Sequence, residues 1–193
     1  MSGVRLFVAV PLGERLRAEL ASWCERGPVE RVRWAPAVNL HVTVHFLGNV
    51  DESVVAGLGD ALEPVVAAFE PFALEVTDAR LAPKRRPRMI WAALAGDARF
   101  DRLAVAVAEA CEPFAPGARP PRPGDPHVTL ARLRGPVKGE LEPLELSDPA
   151  VPVDELALVQ SHLSPKGATY EARRAFPLGA RPTPSPGQSP RKL

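Results

Sequence analysis

The sequence predicts an α+β fold, bilobal, with two antiparallel sheets flanking a central groove and helices on the outside, and two observations lead there. Short strand-like stretches outnumber helical ones, and the helices are too few to cover both faces of a parallel, doubly wound sheet. A four-residue pattern, His41-Val42-Thr43-Val44, also returns once as His127-Val128-Thr129-Leu130, both times in period-two alternation. Each copy follows a helix-bearing section, so two lobes presenting matching strands to one groove explain the recurrence, although the flanks show no further repeat.

Bulk properties set the bounds. A chain of 193 residues, 46% of them apolar, sustains one sizeable core. Basic and acidic residues number 24 and 23, a net charge of +1, so no global field draws the protein to nucleic acid or membrane, and any basic recognition is local. Cys24 and Cys111 both fall in helical stretches, which argues against a disulfide framework or thiolate metal cluster and fits a reducing cytoplasm. No apolar run approaches the roughly 18 residues of a membrane span, and Met1-Ser2-Gly3 leads directly into a strand, so a soluble, unexported protein is expected.

Taken in order, residues 4–10 are apolar apart from Arg5 and closed by Pro11, as in a buried central strand. Leu16, Leu20 and Trp23 share a face of a helix over 14–25, stopped by Gly27-Pro28. A strand near 32–34 leads through Pro36 and Asn39 into the His41 strand, which Gly48-Asn49 should end. Asp51-Glu52-Ser53 opens a helix over 54–69, kinked or divided by Pro64. Strands over 72–81 and 89–95 enclose a loop carrying Lys84, Arg85, Arg86 and Arg88, stiffened by Pro83 and Pro87. Leu103, Val107 and Ala110 mark an amphipathic helix over 100–111. Six prolines and two glycines make 113–126 an irregular loop that delivers the chain to His127. A strand over 153–161, a turn at 164–167 and a strand over 169–176 form a hairpin. Residues 1–178 thus read as one domain, and the Pro-rich 179–193 as a disordered tail.

Alternation puts His41, Thr43 and His45 on one face and Val42, Val44 and Phe46 on the other; His127 and Thr129 likewise oppose Val128 and Leu130. Two imidazoles titrating near neutrality serve as acid and base in one reaction, and neutral hydroxyls donate to phosphate oxygens. A zinc reading of His41 and His45 requires a helix; along a strand they stand roughly 13 Å apart, and no metal or cofactor is expected.

These residues resemble the paired signatures of the 2H phosphoesterase superfamily. Arg5-Leu6-Phe7-Val8-Ala9-Val10-Pro11, the Asn39 to Gly48 stretch, Pro126 to Arg132, and Tyr170 to Leu178 resemble its RNA 2′,3′-cyclic phosphodiesterase branch. The resemblance implies metal-independent hydrolysis of an RNA 2′,3′-cyclic phosphate end, or of a cyclic nucleotide, to a 2′-phosphomonoester. It implies His41 as proton donor, His127 as proton acceptor, and Thr43 and Thr129 as phosphate ligands. A reversible 2′-5′ RNA ligase activity through the same histidines is also implied, in a monomer that requires no protein partner and no membrane. The alternative is a non-catalytic module binding nucleotides or RNA ends in the same pocket.

Further candidates for RNA contact are His45, Phe7, Arg86 and Arg88. His45 departs from the family pattern and either extends the phosphate contacts or, more plainly, sits in solvent at the strand end. Phe7 stacks on a base or packs in the core, the second being the simpler role. Arg86 and Arg88 belong to a solvated loop or a backbone-binding one. Arg132 alternates away from His127 unless a bulge intervenes, His162 carries no site argument, and Trp23, Trp34 and Trp91 read as core or lobe-interface residues.

Overall fold

The computed structural model describes residues 3–26, 32–118, 125–136, 141–165 and 167–179. The described strands are β1 (Gly3–Pro11), β2 (Val32–Trp34), β3 (His41–Asp51), β4 (Phe72–Ala82), β5 (Met89–Leu94), β6 (His127–Leu133), β7 (Ala150–Val153), β8 (Glu155–Ser164) and β9 (Gly167–Pro177). Three helices accompany them: α1 (Glu14–Glu25), α2 (Val55–Ala67) and α3 (Ala98–Cys111). All pairings are antiparallel, in the order β7-β4-β5-β6-β3-β1-β8-β9, with β2 also against β6. The antiparallel α+β class stands, but the strands form one path and not two separate sheets. Its halves meet where β3 and β6 pair at Val42 and Val128.

Burial follows position in that path. β1 lies between β3 and β8, and Leu6 to Val10 are buried without interruption, as a strand covered on both faces requires. The faces of β3 and β6 turned from the groove contribute Val42, Val44, Val128 and Leu130 to a single core with Leu58 and Leu62 of α2 and Leu103 and Val107 of α3. Trp23 of α1 is buried there, its Nε1–H donating to the Pro143 carbonyl at 3.1 Å. Asp51 accepts from the Ser53 N–H at 2.9 Å just before α2, and Asp97 caps α3 through the Arg99 N–H at 2.7 Å.

Three boundaries differ from expectation. Gly48 does not end β3; with φ +82° it sits beside a bulge at Leu47, and pairing to β1 continues to Asp51. Pro64 does not divide α2, because Leu58, Leu62 and Val66 anchor it to the core on both sides of the proline. The strand expected over 153–161 is two strands: β7 pairs with β4 and β8 with β1, so at Asp154 the chain crosses from one half of the path to the other. The helix stop at Gly27-Pro28, residues 119–124 of the proline-rich loop, and the tail from residue 180 lie outside the described residues. Among those described, no helix is long and apolar enough to cross a membrane.

Candidate active site

The register about Val42 and Val128 sets His41 level with Thr129 and Thr43 level with His127. Side chains so placed on one face have Cβ atoms about 5 Å apart, so both histidines and both threonines stand together at the centre of the strand path. His41, Thr43 and Thr129 line a groove of about 600 Å³ that runs between β2, β3, β6 and the β8–β9 hairpin.

Each imidazole is oriented by its own strand. His41 Nδ1 lies 2.7 Å from the Asn39 carbonyl oxygen, and His127 Nδ1 lies 2.9 Å from that of Asp125. A carbonyl only accepts, so Nδ1 carries the proton in both rings and Nε2 is left to exchange one. His41 Nε2 stands 3.1 Å from Thr43 Oγ1. Burial pushes His41 below the ordinary imidazole value; the Asn39 carbonyl opposes this and charge on His127 reinforces it. His127 is also pushed down by burial and, less, by the Arg80 guanidinium, while the Asp125 carbonyl and carboxylate hold it up. Arg80 and Asp125 form an ion pair at 2.6 Å.

Aromatic rings brace both histidines. Trp91 lies flat on His127, 3.6 Å between ring centroids and 12° between planes, which makes it a site residue and not a lobe-interface one. Phe7 packs against His41 at 4.8 Å, with Tyr170 edge-on to both rings. Phe7 is 3% exposed, so core packing is its main role, although one edge reaches the groove.

Two bulges overturn the simple alternation. In β3, Ala9 pairs with Thr43 but Val8 with His45, leaving Val44 as an extra residue. In β6, Trp91 pairs with Thr129 but Ile90 with Ala131, leaving Leu130 extra. Both strands therefore change face at the same place. His45 turns into the core, 3% exposed and with Nδ1 unpartnered among the described residues, which corrects both readings of it as a groove or solvent residue. Phe46 and Arg132 turn into the groove instead, with Arg5 4.5 Å over the Phe46 ring. Histidines 41 and 45 thus face opposite ways and do not share an ion; among the described residues no His, Cys, Asp and Glu group has metal-ligand geometry.

Asn39, missed by sequence reasoning, donates its Nδ2–H to the Ala168 carbonyl at 2.8 Å, tying the turn before His41 to the β8–β9 hairpin. Arg33 reaches the same hairpin, its guanidinium occupying the space a side chain at Gly167 would need. Arg86 and Arg88 are exposed and outside the groove lining. His162 pairs with Glu171 at 3.0 Å on the β8–β9 surface.

A family model described as the 2′-5′ RNA ligase superfamily matches residues 12–165, a span that contains both His-x-Thr-x strands. The chain belongs to this superfamily. A Thermus thermophilus protein named RNA 2′,3′-cyclic phosphodiesterase is 32% identical over 200 residues, covering 97% of this chain and 98% of its own. One of the same name from Methanothermobacter thermautotrophicus is 28% identical over 186 residues, covering 91% and 99%. The crystal structure of TT0787, also from Thermus thermophilus, superposes with a TM-score of 0.75 at 30% identity, over 91% of this chain and 98% of that one. Apo LigT of E. coli gives 0.76 at 24% identity, over 93% and 100%, a likeness of fold. The superfamily assignment therefore rests on nearly the whole described chain, beyond the paired motifs.

Proposed function

We propose that this superfamily member hydrolyses a ribose 2′,3′-cyclic phosphate at an RNA end to the 2′-phosphomonoester, without a metal, by acid–base catalysis between His41 and His127. The observation that carries the reading is the matched orientation of the two rings: each Nδ1–H is held by the carbonyl two residues upstream, which leaves each Nε2 for proton exchange, that of His41 beside the Thr43 hydroxyl. The names of the relatives supply the substrate class.

In this scheme neutral His127 takes a proton from water at Nε2 as the water oxygen bonds to phosphorus. The P–O3′ bond breaks, and O3′ receives the proton from Nε2 of protonated His41. Thr43 and Thr129 donate hydroxyl protons to the non-bridging oxygens, where charge grows in the transition state. His127 ends protonated and His41 neutral, and exchange with solvent restores both. Run with an RNA 5′-hydroxyl in place of water, the same two groups form a 2′-5′ linkage, so a slow ligase activity accompanies the hydrolysis.

The test is to incubate the protein with an oligonucleotide ending in a 2′,3′-cyclic phosphate, in chelator, and identify the product. A 2′-phosphate is expected, with His41→Ala and His127→Ala each slowed about 10²–10⁴-fold. A 3′-phosphate product, loss of activity in chelator, or binding without turnover would overturn the scheme.

A further inference from the structure

The β4–β5 hairpin carries Lys84, Arg85, Arg86 and Arg88 at its tip, all exposed. Arg15, Arg80, Arg99, Arg173 and Arg174 each have a carboxylate partner. The hairpin cations have none among the described residues, and neither does Arg132. Neither β5 nor the last four residues of β4 supplies an acid. Uncompensated like charges repel one another, so a cluster held together by the fold is primed for an anion that it does not itself contain.

The hairpin joins the groove through the backbone. Arg88 accepts from the Leu133 N–H at 2.8 Å and donates to the Ala82 carbonyl at 2.8 Å, which fixes the base of the hairpin against β6. At that level Arg33 of β2 pairs with Arg132 of β6, which pairs with Met89 of β5. Two inter-strand steps thus separate Arg33 from the start of the hairpin, about 10 Å. Arg33 and Arg132 line the groove that holds His41 and Thr129. A basic row therefore leads from the groove across three strands and out along the hairpin.

We propose that this row is a track for the phosphodiester backbone of the RNA upstream of its cyclic end, so that the protein acts on oligonucleotides in preference to cyclic mononucleotides. The proposal rests on the cyclic phosphodiesterase reading above and adds to it a chain-length preference set by the hairpin. A flexible single strand suits it, because phosphates spaced along a strand meet cations spaced along a row without base readout.

The experiment compares kcat/KM for a 2′,3′-cyclic mononucleotide and for a hexanucleotide ending in the same group, using the full chain and a triple variant, Arg85→Ser with Arg86→Ser and Arg88→Ser. Single Arg86→Glu serves as a second variant, and a melting curve checks that each is folded. The wild-type protein is expected to favour the hexanucleotide. The triple variant should lose about tenfold on the hexanucleotide and less than twofold on the mononucleotide, and the slope of log kcat/KM against log salt for the hexanucleotide should flatten by about 1 to 2. Equal loss on both substrates, no loss on either, or no length preference in the wild type would overturn the track while leaving the phosphodiesterase reading intact. Hairpin-dependent binding to polyglutamate or anionic vesicles, with hexanucleotide kinetics unchanged, would overturn it in favour of another partner. A wild-type protein inert on both substrates would sink the underlying reading, and the track with it.

Discussion

At the scale of single residues, the site depends on which nitrogen of each imidazole holds the proton. Carbonyl oxygens of Asn39 and Asp125 decide it for His41 and His127, and no side chain in the motif could have announced this, because the acceptors are backbone atoms two positions upstream. Burial pushes both imidazoles below the ordinary value. In the proposed scheme the base must be neutral and the acid protonated, so both limbs of the kcat/KM profile of the free enzyme should fall at more acidic pH than unperturbed histidines would give, with the optimum below about 6.5. The Arg80–Asp125 pair gives this a sharper form. Asp125 holds His127 up and Arg80 pushes it down, so Asp125→Asn should move the acidic limb to lower pH and Arg80→Gln to higher pH. Movement of both limbs together, or of the acidic limb in one direction for both variants, would show that the pair acts only on packing.

At the scale of elements, the two bulged strands show what the sequence disclosed and what was overlooked in it. Strict alternation correctly grouped His41 with Thr43 and His127 with Thr129. It failed beyond the fourth residue of each motif, where His45 turned inward and Arg132 outward. The signal was there: Val42, Val44 and Leu47 are spaced by two and then three, as are Val128, Leu130 and Leu133. A three-residue step between core positions of a strand means one extra residue, and hence a change of face. Arg132 owes its place in the groove to that step, and it has no carboxylate partner among the described residues. A guanidinium donating to a phosphate oxygen contributes about 1.5–3 kcal/mol. Arg132→Ala should therefore lower kcat/KM by roughly 10–150-fold on the oligonucleotide and by less on the cyclic mononucleotide, with little change in melting temperature because the side chain is exposed. A variant that loses stability and keeps its rate would assign Arg132 to the scaffold.

At the scale of the whole molecule, local patterning disclosed most elements but not their assembly. The apolar run of β1 and the amphipathic faces of α1 and α3 were legible because burial imposes a period on the sequence. That β7 and β8 lie in opposite halves of the strand path was not, since both are short apolar stretches and only their partners differ. Nor could the pattern reveal that the assembled fold holds three imidazoles in buried or half-buried places. His41, His45 and His127 all have values lowered first by burial, the charge of Glu112 opposing the effect at His45. In the unfolded chain each titrates near 6.5. As pH falls through that value the unfolded state takes up protons that the folded state refuses, so stability is complete above about 6.5 and declines as pH drops toward the folded values. The carboxylates with lowered values, Asp97 at about 2 with Glu19 and Asp51, lose their contributions only below about 5 and leave the histidine window clear. His45 separates this effect from catalysis, because its ring is in the core and its Nδ1 has no partner among the described residues. His45→Leu removes one proton-refusing group and one unsatisfied buried atom, so the variant should match or exceed the wild-type melting temperature at pH 8, and its advantage should widen steadily between pH 6.5 and 5. A gap that stays constant across that range in calorimetry would mean that His45 does not titrate differently in the two states, and that acid sensitivity arises elsewhere in the fold.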